Sequence, residues 1–323
     1  MMQPVNDMFT SPDGRPSALH CESPFPYALS PRSIVEWYVG LIRHELAFRR
    51  ERGLDDSYLT RKYEPALFSR RGRFNHLAVH GYGARVSHLV SEIRRLGVPR
   101  VLDAGSGIGS ESILAALLGA DVTAMELAAA KTAYAVSRIP FYEEVSRRGL
   151  RLRFLTGNVI AHLRASPMYD AIWVNEAISH IHPAEEFIVA AFNGLRPGGV
   201  LLIADANANN PVARWRAMRL RQNPHWFVSK RCKFSDEILP VDVADERLFT
   251  SGTLTAMLLQ AGFRVRLLDV HGFMGSFFLP ASWQFNRVVG KTMALFQEAA
   301  KRVPLLRGFG SSMSVIAEKG VRS

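Results

Sequence analysis

Cysteine is nearly absent from this 323-residue chain: Cys21 and Cys232 stand far apart, with no metal-ligand partners at useful spacing. That argues against a disulfide framework and against a zinc site. Long apolar runs are missing too. None approaches the roughly 20 residues of a membrane span, and the N-terminus lacks the basic-then-apolar layout of a secretory signal, so the chain reads as cytoplasmic. Acid is in short supply, 29 Asp and Glu against 40 Lys and Arg, for a net charge of +11. Such a balance suits anionic partners such as phosphate-bearing substrates, membrane surfaces or nucleic acid, or equally a plain solvated surface. Periodicity is weak in residues 1–30, where Pro4, Pro12, Pro16, Pro24 and Pro26 mark an irregular or flexible tail. With 48% hydrophobic residues, the remainder can bury one large core with elaborations or two modest ones.

The most informative stretch is Pro99 to Leu127, PRVLDAGSGIGSESILAALLGADVTAMEL. Val101-Leu102 leads into Asp103, Gly105, Gly107 and Gly109 alternate with small residues, a helical pattern follows, and a second strand from Asp121 ends on Glu126. This is the first half of a nucleotide-binding α/β unit. Glycines allow a tight turn and bring bare backbone N–H groups against a ligand. An acid some twenty residues beyond the first glycine is placed to accept from ribose hydroxyls.

The spacing is G-x-G-x-G with an acid two residues ahead, not the G-x-G-x-x-G of dinucleotide sites. In this it resembles the first motif of the class I S-adenosylmethionine (SAM)-dependent methyltransferases of small-molecule type. The run NEAISHIHPAEEFIVAAFNGLRPGGVLLIAD extends the resemblance, which covers roughly Pro99 to Asn207. It implies an α/β fold with a Rossmann-like seven-stranded sheet in the order 3-2-1-4-5-7-6, helices on both faces and SAM as cofactor. Cofactor-binding positions carried over are Asp103, Gly105, Gly107, Gly109, Glu126, Leu127, Asn158 and Asn175. Asn158 departs from the pattern, because an acid often stands there to contact the adenine amine; its carbonyl can still accept that bond. Glu176 and His180 are expected at the methyl-accepting end, with His180 the first choice of base and His182 and His271 weaker ones. Metal-dependent quinone-pathway relatives place a carboxylate directly before this histidine. Here Ser179 stands there, so no metal is expected.

Helical spacing predicts an N-terminal helical extension over 31–98, opened by a Ser30-Pro31 cap and stopping near Gly53, with a second clear helix from Val86 to Gly97. Between Tyr58 and Gly83 the pattern is poor, and Gly81-Tyr82-Gly83 is a candidate lid loop. The methyltransferase domain is expected over 99–323. In it, Pro140 interrupts a helix from Leu127 towards Arg148, and Leu195 to Gly199 forms a turn before the fifth strand. Strands are expected at 151–155, 169–174, 200–204 and 263–270, with an antiparallel last strand at 311–318.

Two cap insertions are expected, near 207–250 and 271–310. The first carries Arg214, Arg216, Arg219, Arg221, Lys230, Arg231 and Lys233 with Trp215, Trp226 and Phe227, and no acid among them. The second is apolar, ringed by Arg287, Lys291, Lys301 and Arg302. Together they suit a small-molecule acceptor of anionic or amphiphilic character and leave peripheral membrane contact open. O-methylation of a small organic, lipid-like or glycan-linked hydroxyl is the expected reaction. The alternatives are a nucleic-acid methyltransferase using the basic cap, which is disfavoured, and a non-catalytic SAM-fold binding protein.

Overall fold

Val101, Leu102 and Ala104 are all buried along strand β1 (Arg100–Ala104), the run of apolar residues expected of a parallel strand covered on both faces. The computed structural model describes residues 29–68, 74–165, 168–212, 214–215, 227–228, 245–273, 283, 285–304, 306 and 308–320. Around β1 lie β2 (Asp121–Glu126), β3 (Leu152–Thr156), β4 (Tyr169–Asn175), β5 (Leu195–Ala206), β6 (Phe263–His271) and β7 (Ser312–Lys319). They form one sheet in the order β3-β2-β1-β4-β5-β7-β6. The first five strands pair in parallel, and β7 runs antiparallel to both β5 and β6. This is the expected order, with the switch in direction of winding between β1 and β4, where open α/β sheets bind ligands.

Helices α1 (Pro31–Glu51), α2 (Ser57–Leu67), α3 (His76–Leu96), α4 (Ser110–Leu117) and α5 (Ala129–Ser146) share one buried cluster with Val101, Val122, Trp173 and Leu202. Helices α6 (Val159–Arg164), α7 (Ala184–Gly194) and α8 (Ser251–Gln260) cover the other face on Leu102, Ile172, Leu201 and Ile203. Alternation along the strands sends neighbouring residues to opposite cores. A last helix, α9 (Arg287–Arg302), packs on α3. Ser30 accepts from the Ser33 N–H and Pro31 opens the first turn of α1, as the sequence predicts.

Three local expectations are corrected. Gly81, Tyr82 and Gly83 lie inside α3 and are not a lid: Asn75 caps that helix through Ala78 N, and Tyr82 reaches across to Glu111. Two glycines cost helix propensity, but tertiary packing outweighs it, with α1 close beside Gly83. Pro140 does not interrupt α5, which runs through it from Ala129 to Ser146 with the proline on an exposed face. Leu195 to Gly199 begins β5 itself, through an irregularity opposite Tyr169 and Ala171. Of the two insertions, most of 207–250 and residues 274–282 lie outside the described residues, including Arg216, Arg219, Arg221, Trp226, Lys230, Arg231 and Lys233.

Candidate active site

The glycine turn between β1 and α4 is shaped from both sides. Gly105 and Ser106 donate their N–H groups to Met125 O at 2.9 and 2.8 Å, tying the turn to the end of β2. Gly109 has φ +75°, and a Cβ there would come within 2.4 Å of the Phe154 ring, so only glycine lets the chain pass. Gly107 differs: its φ is +56°, yet a Cβ would meet nothing. Its bare backbone faces open space.

Glu126, at the end of β2, turns its carboxylate onto that turn. Oε2 accepts from Gly107 N at 2.9 Å, Oε1 accepts from Ala128 N at 3.0 Å, and Lys131 Nζ lies 3.9 Å away. Each oxygen keeps acceptor capacity for a diol. Leu127 follows, with an exposed side chain. Asp103 lies beneath the turn, buried, accepting from Ser112 Oγ at 2.5 Å; burial raises its carboxyl to about 7. Asn158, after β3, caps α6, its Oδ1 accepting from Ile160 N and Ala161 N.

Behind the turn runs a buried polar network. Arg138 of α5 donates to both oxygens of Glu45 on α1, to Ile108 O at 2.6 Å and to Ser110 Oγ at 2.8 Å. Tyr142 donates to Glu45, Tyr38 to Ser110 O, and Tyr63 to Ser110 Oγ. The first turn of α4 is thus gripped by α1, α2 and α5. No motif announces these residues; only the folded register brings Glu45 to Arg138.

At the carboxyl ends of β4 and β5 a second group converges. Asn175 Nδ2 donates to Glu111 Oε1 at 3.3 Å, the same oxygen that Tyr82 OH approaches at 2.9 Å. Its Oδ1 is buried without a hydrogen-bond partner among the described residues. Glu176 adopts φ +52°, strained for a residue with a Cβ, and forms an ion pair with Arg85 of α3. Partial desolvation pushes the half-exposed Glu176 carboxyl up, but Arg85, Lys62 and His180 outweigh it and hold it below the usual range. Lys62, although desolvation pulls the other way, is held charged by Tyr63, Glu111 and Glu176. His180 ends a short 3-10 turn (Ile178–His180) just after Glu176. Ser179 donates to Asp205, whose carboxyl burial raises to about 6. At the end of β6, His271 is buried beside Asp269, and burial lowers it to about 4. Sequence reading missed Lys62, Arg85 and Glu111, and placed Tyr82 in a loop rather than on the helix that carries it to Glu111. The three-residue spacing of Tyr82 and Arg85 on one helix was the sole signal for that pair.

Sheet order, glycine turn and terminal acid together define a nucleotide-binding methyl-transfer fold. Residues 78–268 match the family described as methyltransferase domain, and the chain belongs to that family. That family is one of methyltransferase domains, the class to which the sheet order and the glycine turn also point. Among curated proteins, it is 29% identical over 159 residues to a malonyl-[acyl-carrier protein] O-methyltransferase of Enterobacter lignolyticus, covering 45% of this chain and 59% of that one. It is 25% identical over 135 residues to a ubiquinone biosynthesis O-methyltransferase of Rickettsia prowazekii, covering 42% and 50%. The chain therefore spans only about half of these relatives' lengths. A solved structure of magnesium protoporphyrin IX methyltransferase from Synechocystis, with bound SAH, superposes with a TM-score of 0.47 at 15% identity, over 76% of this chain and 86% of that one.

The residues present suit the cofactor. Open space over Gly107, a carboxylate with spare acceptor capacity at Glu126 and the unpartnered buried acceptor Asn175 Oδ1 match a ribose diol and an ammonium group. Among the described residues no group of three or more His, Cys, Asp or Glu could hold a metal ion.

Proposed function

We propose that this chain O-methylates a small organic, lipid-like or glycan-linked hydroxyl on a molecule that also carries an anionic group. The observation behind this reading is the convergence beyond β4 of two cations, Lys62 and Arg85, with Glu176 and His180, a polar wall beside the place where the cofactor's methyl would point. The two curated relatives, both O-methyltransferases by name, favour oxygen as the acceptor atom.

The cofactor supplies an activated methyl on a sulfonium. Glu126 would hold its ribose, Asn175 its ammonium, and Gly105, Gly107, Gly109, Leu127 and Asn158 would border it, with Asp103 setting the turn from below. Methyl transfer is an in-line displacement, so aligning the acceptor does much of the catalytic task. Arg85 orients the acceptor's anion and keeps Glu176 ionised. His180 takes the hydroxyl proton as the new oxygen–carbon bond forms. The 99–323 segment would carry the chemistry and 31–98 would cover it.

The test is methyl transfer from labelled SAM into a panel of hydroxylated acceptors, matched with and without a carboxylate or phosphate. Transfer that favours the anionic members, with a raised KM in Arg85→Met and a lowered kcat in His180→Ala, supports the reading. Equal transfer to neutral members would remove the anionic requirement, and transfer to nucleic acid with steep salt dependence would replace the acceptor class.

A further inference from the structure

Helix α9 is built inside out. A surface helix ordinarily turns its large apolar residues to the core. Here the buried positions are Gly290, Gln297 and Ala300, while Val288 is 71% and Leu295 73% exposed, with Phe296 exposed beside them. The helix cannot roll to correct this. A Cβ on Gly290 would come within 2.5 Å of the His76 Cβ on α3, so that position admits no side chain. Lys301 holds Asp269 of β6 at 2.8 Å, and Glu298 lies 3.9 Å from Arg32 of α1 and 3.5 Å from Lys301. Three contacts on different elements thus fix the same face inward.

The outward face is arranged by charge as well. Positions 288, 295 and 299 lie close to one line along the helix. Arg287, Lys291 and Arg302 flank that line on one side, all exposed, and Phe296 and Val303 flank it on the other. Glu298 is the one acid between 287 and 302, and it is already engaged with cations. Leu306 and Phe309 just after the helix, and Trp283 just before it, are exposed as well. An apolar stripe with a basic margin and nearby aromatics is the composition of a helix that lies in a lipid headgroup region. The excess of eleven positive charges over the whole chain acts in the same direction. A second copy of the same face would bring like charges together, so the complementary occupant is anionic.

We infer that α9 is a docking face for an anionic phospholipid surface, on which Val288, Leu295 and Phe296 enter the headgroup layer and Arg287, Lys291 and Arg302 contact lipid phosphates. This surface rests on α9 alone and holds whatever the acceptor is. Because α9 packs on α3, the helix that also presents Arg85, docking would bring the candidate acceptor end close to the bilayer.

The test is co-sedimentation of the full chain with vesicles of phosphatidylcholine alone or mixed with phosphatidylglycerol, alongside sedimentation equilibrium without lipid. The expected result is binding to the mixed vesicles that weakens with salt. The double variant Val288→Asp/Leu295→Asp should lose it by about tenfold or more, and Lys291→Gln/Arg302→Gln by about fivefold per residue. Both pairs are exposed, so unchanged thermal unfolding is expected and checks the fold. Absence of binding to mixed vesicles, or binding indifferent to the aspartates, would overturn the inference. So would a lipid-free dimer that the aspartates dissociate, since the face would then be an interface between copies.

Discussion

The two ends of the candidate site are held in opposite ways. On the cofactor side, Glu45 and Arg138 are both 0% exposed and reach the glycine turn through Ile108 and Ser110. On the acceptor side, the corresponding pair, Arg85 and Glu176, is 17% and 54% exposed and grips no turn. A desolvated ion pair costs several kcal/mol per ion and returns it only in good geometry with its remaining hydrogen bonds met. Tyr142, Ile108 and Ser110 meet them here. The cofactor end is therefore rigid by construction, as suits a ligand common to a whole class. The acceptor end stays hydrated and adjustable, as suits a ligand that differs between members.

The most damaging way to break this contrast is Arg138→Met, which strips buried Glu45 of its bidentate partner and leaves it only Arg49 at 3.8 Å and the Tyr142 hydroxyl. Urea unfolding should show a loss of about 3–5 kcal/mol, most of it regained in Glu45→Leu/Arg138→Met. Next comes Asp103, whose burial raises its folded carboxyl to about 7 from 3.8. An acid with a raised folded pKa contributes stability that is whole below the unfolded value and lost as pH climbs through the folded one. Unfolding measured between pH 4 and 7 should thus show wild type weakening relative to Asp103→Asn, by at most about 4 kcal/mol at ~1.4 per unit. A flat difference would mean that Asp103 is ionised in the fold.

Smaller still is the cofactor's own contribution. At about 100 times its dissociation constant, SAM or SAH should stabilise wild type by roughly 2.7 kcal/mol. Glu126→Ala should abolish most of that shift in thermal unfolding, and a full response in the mutant would move the ribose elsewhere. Least is expected from Arg85→Met: about 1 kcal/mol or less in stability, as for a partly hydrated pair, with the change appearing in KM for an anionic acceptor. A destabilisation comparable to that of Arg138→Met would erase the difference between the two ends.

What could be read beforehand follows the same division. The turn from Asp103 to Gly109 and Glu126 lies within one local stretch, where spacing alone carries the information, and the strand order comes with the resemblance it supports. Asn158 was legible only as an acceptor: that its oxygen also caps the next helix depends on the turn that follows β3. Gly81 and Gly83 read as a loop because propensity is local, while the contacts that keep them helical, Tyr82 with Glu111 and α1 beside Gly83, come from far along the chain. Arg85 and Lys62 were two cations among 40 until the fold set them beside Glu176.

The buried grip on the glycine turn also sets a timetable for synthesis. Glu45 leaves the ribosome 93 residues ahead of Arg138. At roughly 5–20 residues per second that is a wait of about 5–20 s. During it, Glu45 has Arg49 but neither Arg138 nor Tyr142, and Tyr38 and Tyr63 wait for Ser110 through roughly the first 65 of those residues. The nascent chain spends that interval with an apolar, partly charged helical hairpin exposed. Translation rate and chaperone capture over this window should govern the yield of folded protein more than any step after release.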